Sequence, residues 1–313
     1  MTTASRQKGL LVVIAGPTAS GKTSLAIQIA QHFKTEIISA DSRQFFSEIP
    51  IGTAAPAVGQ RGGIIHHLVG HLSIHNEYNV SKYEEEVLTL LGRLFTRHKV
   101  VVMTGGSGLY IDAVCNGIDA LPDPDVQLRA EMEERFRLEG IGGLQTWLQA
   151  LDPAYYNVVD VNNPMRLMRG IEVCLQTGVP FSQQRKAEPK ERPFATLKIA
   201  LHLPRNILNQ RIHQRTDQML KAGWLEEARA VYPYRGLNSL NTVGYKELFA
   251  YLSGEWTYEQ TVEKIKTNTR RYAKRQMTWL RRDAAFNWID ATQPEKAIQE
   301  IVELIDKAME SGS

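Results

Sequence analysis

Six apolar residues, 10–15, run without a break into Gly-Pro-Thr-Ala-Ser-Gly-Lys-Thr, and a helical pattern follows over 24–33. That order strongly restricts the fold. A G-x-x-x-x-G-K-[ST] loop works only where a strand delivers it and a helix leaves it, with backbone N–H groups turned inward around an anion. Gly16 and Gly21 permit the tight bend. Pro17, Thr18, Ala19 and Ser20 fill the loop between them, Lys22 brings a mobile positive charge, and the Thr23 hydroxyl suits a Mg²⁺ shell. The sequence therefore predicts a site for a chain of phosphates before it says what is done with them.

The remaining pattern extends this start into a sheet. Residues 35–39 read as a second strand ending at Asp41, 82–98 as a helix, and 100–104 as a buried strand leading into Gly-Gly-Ser-Gly and another helix. Strands alternating with helices predict an α/β fold, a parallel sheet flanked by helices as in P-loop NTPases, with ligands beyond the carboxyl ends of the strands. From about Ala120 to Pro193 the pattern is helical only, with helices at 125–138, near 143–150 and around 164–177. A strand returns at 196–203, followed by an Arg-rich helix from Asn206 to Lys221. The expected organisation is a core of residues 1–118 and 196–313 carrying an all-helical insertion at 119–195, with 182–193 as an exposed return linker.

Composition narrows the setting. No apolar run approaches the eighteen or so residues of a membrane span. Arg6 and Lys8 before the first apolar run superficially resemble a signal peptide, but the run is short and ends in Gly-Pro, which favours a strand. Cys115 and Cys174 are the two cysteines of 313 residues, which suits a reducing cytoplasm. The net charge of +3 decides little, but residues 264–282 hold eight Lys or Arg and no Asp or Glu. On a helix, Ile265, Tyr272 and Trp279 form one stripe, while Arg271, Arg275, Thr278 and Arg282 line another face. Basic side chains interleaved with aromatics fit phosphate contacts beside base stacking; the competing reading is a core helix with a solvated basic side.

Three further groups bear on chemistry. Asp41 is the acid that closes a predicted strand, and is a metal ligand, a general base or a helix N-cap beside Ser42. Arg205, Arg211 and Arg215 lie at the start and along one side of a helix, where paired guanidinium groups can clamp a diphosphate or simply meet solvent. His66 and His67 are adjacent, so in an extended chain they point in opposite directions and make poor joint metal ligands.

Taken together, GPTASGKT, IISADSRQ, IGTAAP, HHL, GGSGLY, NNPMRLMRGIEV with TGVP, PRNILNQRIHQR, VGYKE and TRRYAKRQMTWLRR resemble, in that order, the tRNA dimethylallyltransferases, also called tRNA isopentenyltransferases. The resemblance spans roughly residues 9 to 290. It implies transfer of a dimethylallyl group from dimethylallyl diphosphate to N6 of the adenosine 3′ of the anticodon, with Mg²⁺, in a cytoplasmic enzyme for which nothing demands more than a monomer. It implies catalytic roles for Asp41 as base, Lys22 and Thr23, with Thr23 as metal ligand, and diphosphate binding by Gly16–Thr23 with Arg211 and Arg215. It implies tRNA contacts from Asp41, Ser42, Arg43 and Gln44, from Ser107, and from Met165, Arg166, Leu167, Met168 and Arg169. The basic segment adds Arg271, Lys274, Arg275, Gln276, Met277, Thr278, Trp279, Leu280 and Arg281, and the insertion would grip the anticodon stem.

Three positions depart from the family pattern: Phe45-Phe46 replaces a frequent Tyr, Ala55 a frequent Lys, and Val69-Gly70 an Ile-Asp pair. The competing functions are a P-loop kinase using ATP on a small molecule, an isopentenyltransferase for free adenine nucleotides, and a non-catalytic RNA-binding protein. A kinase has no need of the basic aromatic helix.

Overall fold

The structure is a computed structural model and describes residues 9–186 and 188–311. Arg6 and Lys8 lie outside the described residues. By contact the described chain forms two compact units, one running to Cys115 and resuming at Arg192, the other formed by Asn116–Glu191.

The first unit is built on six parallel strands, β1 (Leu10–Ala15), β2 (Ile37–Ala40), β3 (His66–His67), β4 (Val100–Gly105), β5 (Ala195–His202) and β6 (Phe286–Asp290), in the order β3-β2-β4-β1-β5-β6. The unbroken apolar run of β1 has a direct cause. It is central, and side chains alternate between faces, so both faces need apolar residues. Leu11, Val13 and Ala15 pack in one cluster with α2 (Val80–Leu94) and α3 (Gly108–Asn116). Leu10, Val12 and Ile14 pack in the other with α1 (Lys22–His32) and α12 (Pro294–Ser311). Each fully buried Leu, Ile or Val contributes about 1.5–3 kcal/mol, so a charge at Val12 would break the sheet at its centre.

Sequence reading missed β3 and β6, for a common reason. β3 has two residues, and β6 buries only Phe286 and Ile289, leaving Asn287, Trp288 and Asp290 exposed, so neither shows a clean two-residue period. Both are edge strands, where few residues carry the pattern.

The second unit holds α4 (Val126–Leu151), α5 (Pro153–Tyr156), α6 (Pro164–Thr177) and α7 (Phe181–Gln184). Gly140, at φ 67° and ψ −164°, breaks α4 where the pattern separated 125–138 from 143–150. Asn163 caps α6 at the Arg166 amide, Pro164 occupies its first turn, and Gly178 ends it at φ 71°. Met132, Leu144, Leu148, Leu167 and Ile171 form its core. Glu172, fully buried, receives Arg129, Arg169 and the Asp125 amide, which ties the start of α4 to α6. These partners hold its carboxyl below the usual range against the opposing effect of burial.

The expected linker at 182–193 is exposed at 185–186 and 188–191, but its two ends are tied down. Ser182 belongs to α7 and donates to Asp152 from both its amide and its hydroxyl. At the other end Arg192, in the first unit, is buried against Glu84 and donates to the carbonyls of Ala113 and Val114. An Arg in a charged run looks solvated in sequence, and nothing local reveals a partner more than a hundred residues away.

The first unit is completed by α8 (Arg205–Lys221), α9 (Trp224–Val231), α10 (Tyr245–Leu252) and α11 (Tyr258–Leu280). Among the described residues no helix is long and apolar enough to cross a membrane. Cys115 and Cys174 are free and buried, and burial pushes the Cys115 thiol up to about 12.

Candidate active site

The carboxyl ends of β1, β2 and β4 open into one cleft. β1 delivers the phosphate loop. Gly21 takes φ 92° at the N-cap of α1, a left-handed conformation that favours glycine, and the Ser20 amide closes a turn on the Pro17 carbonyl at 3.2 Å. The Lys22 ammonium donates back to the Pro17 carbonyl at 3.3 Å. Burial, with the Arg215 guanidinium nearby, brings its pKa down to about 8, and the Asp41 carboxylate opposes this. A cation held at such a disadvantage favours an incoming anion.

The Arg-rich helix does reach the loop. Arg215 lines the cleft and its Nη1 lies 3.5 Å from Thr18 Oγ1. Arg211 lines the adjoining opening with Gly21, Lys22, Thr23 and Ser24. Arg205, at the first turn of α8, is exposed and lines neither opening.

β2 delivers Asp41 to the same cleft. The N-cap reading of this residue fails: residues 42–45 form turns, no helix starts there, and Asp41 Oδ1 accepts the Arg43 amide at 3.0 Å within its own turn. The neighbouring residues hold that turn in place. The Ser42 amide donates to Ser107 Oγ at 2.9 Å. Arg43 Nη1 donates to the Asn238 and Ser239 carbonyls, and Gln44 links Ser39 to the carbonyls of Thr53 and Ala54. With these partners, the Arg43 and Gln44 side chains support the Asp41 turn. Phe45 and Phe46 are buried, Ala55 donates its amide to the Pro50 carbonyl, and Val69 lines the cleft.

β4 ends at Thr104, whose hydroxyl donates to the Ile14 carbonyl, and at Gly105. Beyond it, Gly106 is a close approach: a Cβ there would stand 2.1 Å from Gln276 Nε2. Gln276 is buried, accepts the Thr18 amide at 2.8 Å and donates to the Gly106 carbonyl at 2.9 Å. The basic helix α11 is therefore bonded to the phosphate loop. Tyr272, one turn earlier, lines the cleft near Ser107. Burial, reinforced by Asp41, pushes its phenol up, so it remains a neutral donor.

The predicted stripe on α11 is correct for Ile265, Tyr272 and Trp279, with Ala273, Gln276 and Leu280 also inward. Arg271, Lys274, Arg275 and Thr278 are exposed and Met277 is half-buried. Arg282 is not on the predicted helical face, because α11 ends at Leu280 and Arg281 caps it. Leu280 belongs to the sheet core and Leu167 and Met168 to the core of the second unit, so their side chains are not available to an RNA. Met165 and Arg166 are exposed, whereas Arg169 is engaged by Glu172 and the Pro122 carbonyl.

His66 and His67 do point apart. His67 pairs with Glu36 at 2.6 Å; His66 lines the cleft, donates from Nδ1 to the Ile64 carbonyl and has no partner for Nε2 among the described residues. Sequence reading missed Glu227, Trp224 and Thr269. The Glu227 carboxylate accepts the amides of Ile51 and Gly52, each at 2.8 Å, and the Tyr245 hydroxyl, fixing the loop that closes one side of the cleft. Its only sequence signal was the neighbouring VGYKE, residues 243–247, where Glu247 caps α10 at the Gly244 amide.

Residues 44–283 match the family described as IPP transferase. The chain belongs to that family. The match begins after the phosphate loop, so the loop geometry is a separate observation. Relatives include tRNA dimethylallyltransferase 1 of Bacteroides fragilis, 47% identical over 92% of this chain and 96% of that protein. Another is tRNA dimethylallyltransferase 2 of Porphyromonas gingivalis, 49% identical over 90% of this chain and 94% of its own length. Among solved structures, the full-length tRNA isopentenylpyrophosphate transferase of Bacillus halodurans superposes with a TM-score of 0.72 at 32% identity, covering 98% of both chains. A eukaryotic dimethylallyltransferase acting on tRNA gives 0.75 at 28% identity, over 91% of this chain and 74% of that one. The parallel sheet with flanking helices is thus the fold of this IPP transferase family.

Proposed function

We propose that this IPP transferase family member is a tRNA dimethylallyltransferase, moving the dimethylallyl group of dimethylallyl diphosphate to N6 of the adenosine 3′ of the anticodon. One observation carries the reading: Asp41, Lys22 and Arg215 line a single cleft, with Tyr272 and Gln276 of the basic helix in its wall.

In this reading the phosphate loop holds a leaving group. The C1–O bond of the allyl diphosphate breaks, and its electron pair leaves with the diphosphate. Loop amides, Lys22, Arg215 and Arg211 stabilise the charge that builds there. The lone pair of N6 forms the new C1–N bond, and Asp41 takes the N6 proton as that bond forms. Tyr272 and Ser107 border the route to Asp41 and position the base, which has to leave its stack to reach the cleft.

Mg²⁺ fits this site modestly. Among the described residues no group of three or more His, Cys, Asp or Glu could hold a metal. The Thr23 hydroxyl with phosphate oxygens and water is, however, a donor set that Mg²⁺ accepts. Bound there, it would neutralise charge on the diphosphate. Thr104 stands where a phosphate-hydrolysing site would carry a strand-ending acid, which fits a reaction that activates no water.

The exposed Arg271, Lys274 and Arg275 supply electrostatic attraction to tRNA, with Arg281 beyond the helix end. The second unit has a formal charge of −4, with 8 Lys or Arg against 12 Asp or Glu. Its contribution to holding an anticodon stem is therefore local, through residues such as Met165 and Arg166. The chain is expected to act as a cytoplasmic monomer. The deciding experiment incubates the protein with labelled dimethylallyl diphosphate and unmodified tRNA and analyses the nucleosides. Label in N6-dimethylallyladenosine supports the reading; ATP turnover without tRNA, and no labelled nucleoside, would replace it with a kinase.

A further inference from the structure

The cleft changes character along α8. Arg215 stands at the phosphate loop, and Met219, four residues on, lies on the same face and also lines the cleft. A rise of about 1.5 Å per residue puts it about 6 Å further along the helix axis. The chain then turns at Gly223, φ 99°, and begins α9 with Trp224. Beside the cations and hydroxyls, the lining includes Met219, Trp224 and Val243, and the last two adjoin Gly244. A lining with a charged end and an apolar end fits a molecule with a diphosphate head and a short hydrocarbon tail.

Trp224 closes the apolar end and has no room to move. It is 3% exposed. A Cβ on Gly52 would stand 2.2 Å from its Nε1, and a Cβ on Gly244 1.9 Å from its Cζ2, so two backbones grip the indole. Gly244 has φ 97°, a second reason for glycine there. Gly52 is itself pinned, because Glu227 receives its amide, that of Ile51 and the Tyr245 hydroxyl. Tyr245 is fully buried and packs edge-on against the indole, with ring centroids 6.2 Å apart. A wall held by backbone, carboxylate and a second aromatic cannot swing aside for a longer chain.

We infer that Trp224 is the end wall of the prenyl pocket and sets its length, admitting a five-carbon tail and excluding a ten-carbon one. The inference rests on the reading that the diphosphate occupies the phosphate loop. Met219 and Val243 flank the tail, and Glu227, through Gly52 and Tyr245, is a positioning residue for the wall. A rigid apolar pocket separates ligands by roughly 10–200-fold per methylene-sized difference, so a whole extra isoprene unit is excluded strongly.

Calorimetric binding of three probes tests this without the acceptor: inorganic diphosphate, dimethylallyl thiolodiphosphate and geranyl thiolodiphosphate. The wild-type chain is expected to bind the five-carbon analogue more tightly than diphosphate, and roughly 100-fold or more better than the ten-carbon one. Trp224→Ala should bring the ten-carbon analogue within about tenfold of the five-carbon one, with inorganic diphosphate binding unchanged. Should Trp224→Ala fail to fold, Trp224→Leu, which retains most of the apolar volume, is expected to melt near the wild-type temperature and give an intermediate ratio. A folded variant that keeps the wild-type ratio overturns the wall, as does a wild-type chain that binds both tails equally. If the wild-type chain binds none of the three probes, the diphosphate reading itself fails, and the wall with it.

Discussion

Gln276 accepts the Thr18 amide at 2.8 Å and, through its other amide atom, donates to the Gly106 carbonyl at 2.9 Å. One buried side chain on the basic helix thus joins the phosphate loop to the segment after β4. Residues 258 positions apart set each other's geometry, and the helix that presents Arg271, Lys274 and Arg275 outward also shapes the loop at its inner face. In this arrangement the loop is shaped partly by α11, so the proposed diphosphate site should respond to changes in that helix.

Gln276→Ala is expected to leave the Thr18 amide and the Gly106 carbonyl without their partner, at about 1–3 kcal/mol for a buried group. The loop loosens, and kcat/KM for dimethylallyl diphosphate should fall about tenfold or more. Gln276→Glu keeps an acceptor for Thr18, loses the donor to Gly106 and adds a negative charge beside the phosphate. It should therefore raise KM further than the alanine variant. Steady-state kinetics at saturating tRNA, with melting temperatures for both variants, separates this from a folding defect. An Ala variant with unchanged KM would leave Gln276 a packing residue.

Asp41→Asn keeps an oxygen for the Arg43 amide and so preserves the turn, while removing the carboxylate. Loss of a general base lowers turnover by about 10²–10⁴. The expected outcome is that drop in kcat with tRNA affinity within about twofold of wild type, measured by single-turnover transfer and filter binding. A variant retaining near-normal turnover would place the base elsewhere, and His66, in the same cleft with no partner for Nε2 among the described residues, would be the next residue to substitute.

The strand, loop and helix at 10–33 were legible because the pattern is local: six apolar residues, a glycine-bounded loop and a helical period. The helical second unit was legible for the same reason, as were Arg211 and Arg215 on one helical face. What sequence did not reveal is held by distant pairs. Glu227 looks like one more acid on an amphipathic helix until the amides of Ile51 and Gly52 fold onto it. Arg43 reads as an RNA-facing cation, yet its guanidinium is satisfied by carbonyls near residue 240. Gln276, within a basic run, carries no sign of its inward direction beyond its helical register with Tyr272 and Ala273.

The Arg192–Glu84 pair is the sharpest test of stability. Both side chains are about nine-tenths buried, at 9% and 10% exposure, and Arg192 also holds two carbonyls at the end of α3. Removing one partner of such a pair strands the other, at about 3–5 kcal/mol. Arg192→Met alone should lower stability by that amount in urea denaturation, and Glu84→Gln by less, because the amide oxygen can still accept. The double variant Arg192→Met with Glu84→Leu should recover part of the loss. Strict additivity would show that the two residues act independently.

The exposed basic face of α11 should govern how RNA binding responds to salt. Arg271 donates to Asn268 and Arg275 lies over the Tyr272 ring, and among the described residues neither is paired with a carboxylate. Replacing both with Gln is expected to weaken tRNA binding and reduce the slope of log K against log salt by about 1–2. Replacing Arg135 and Arg137 of the second unit, each already paired with a Glu on α4, should leave the slope nearly unchanged. An unaltered slope in the first variant would reduce α11 to a structural helix.

Lys22 links the site to pH. Its pKa falls from 10.5 to about 8 in the folded chain, through burial first and Arg215 second. An unfolded chain binds this proton more tightly, so the lysine lowers stability wherever it is charged in both states. Stability should rise with pH between about 8 and 10.5 as the folded chain alone releases the proton, and Lys22→Met should melt above wild type at pH 7. Diphosphate reverses the balance by placing negative charge beside the ammonium and raising its pKa. Affinity for diphosphate should therefore be near its maximum at pH 7 and fall above about 8. Calorimetry near pH 8.5, in two buffers of different ionisation enthalpy, should record proton uptake on binding, and Lys22→Met should abolish it. Binding without proton uptake would mean that Lys22 is already fully charged in the free protein, and that the loop amides and arginines carry the phosphate alone.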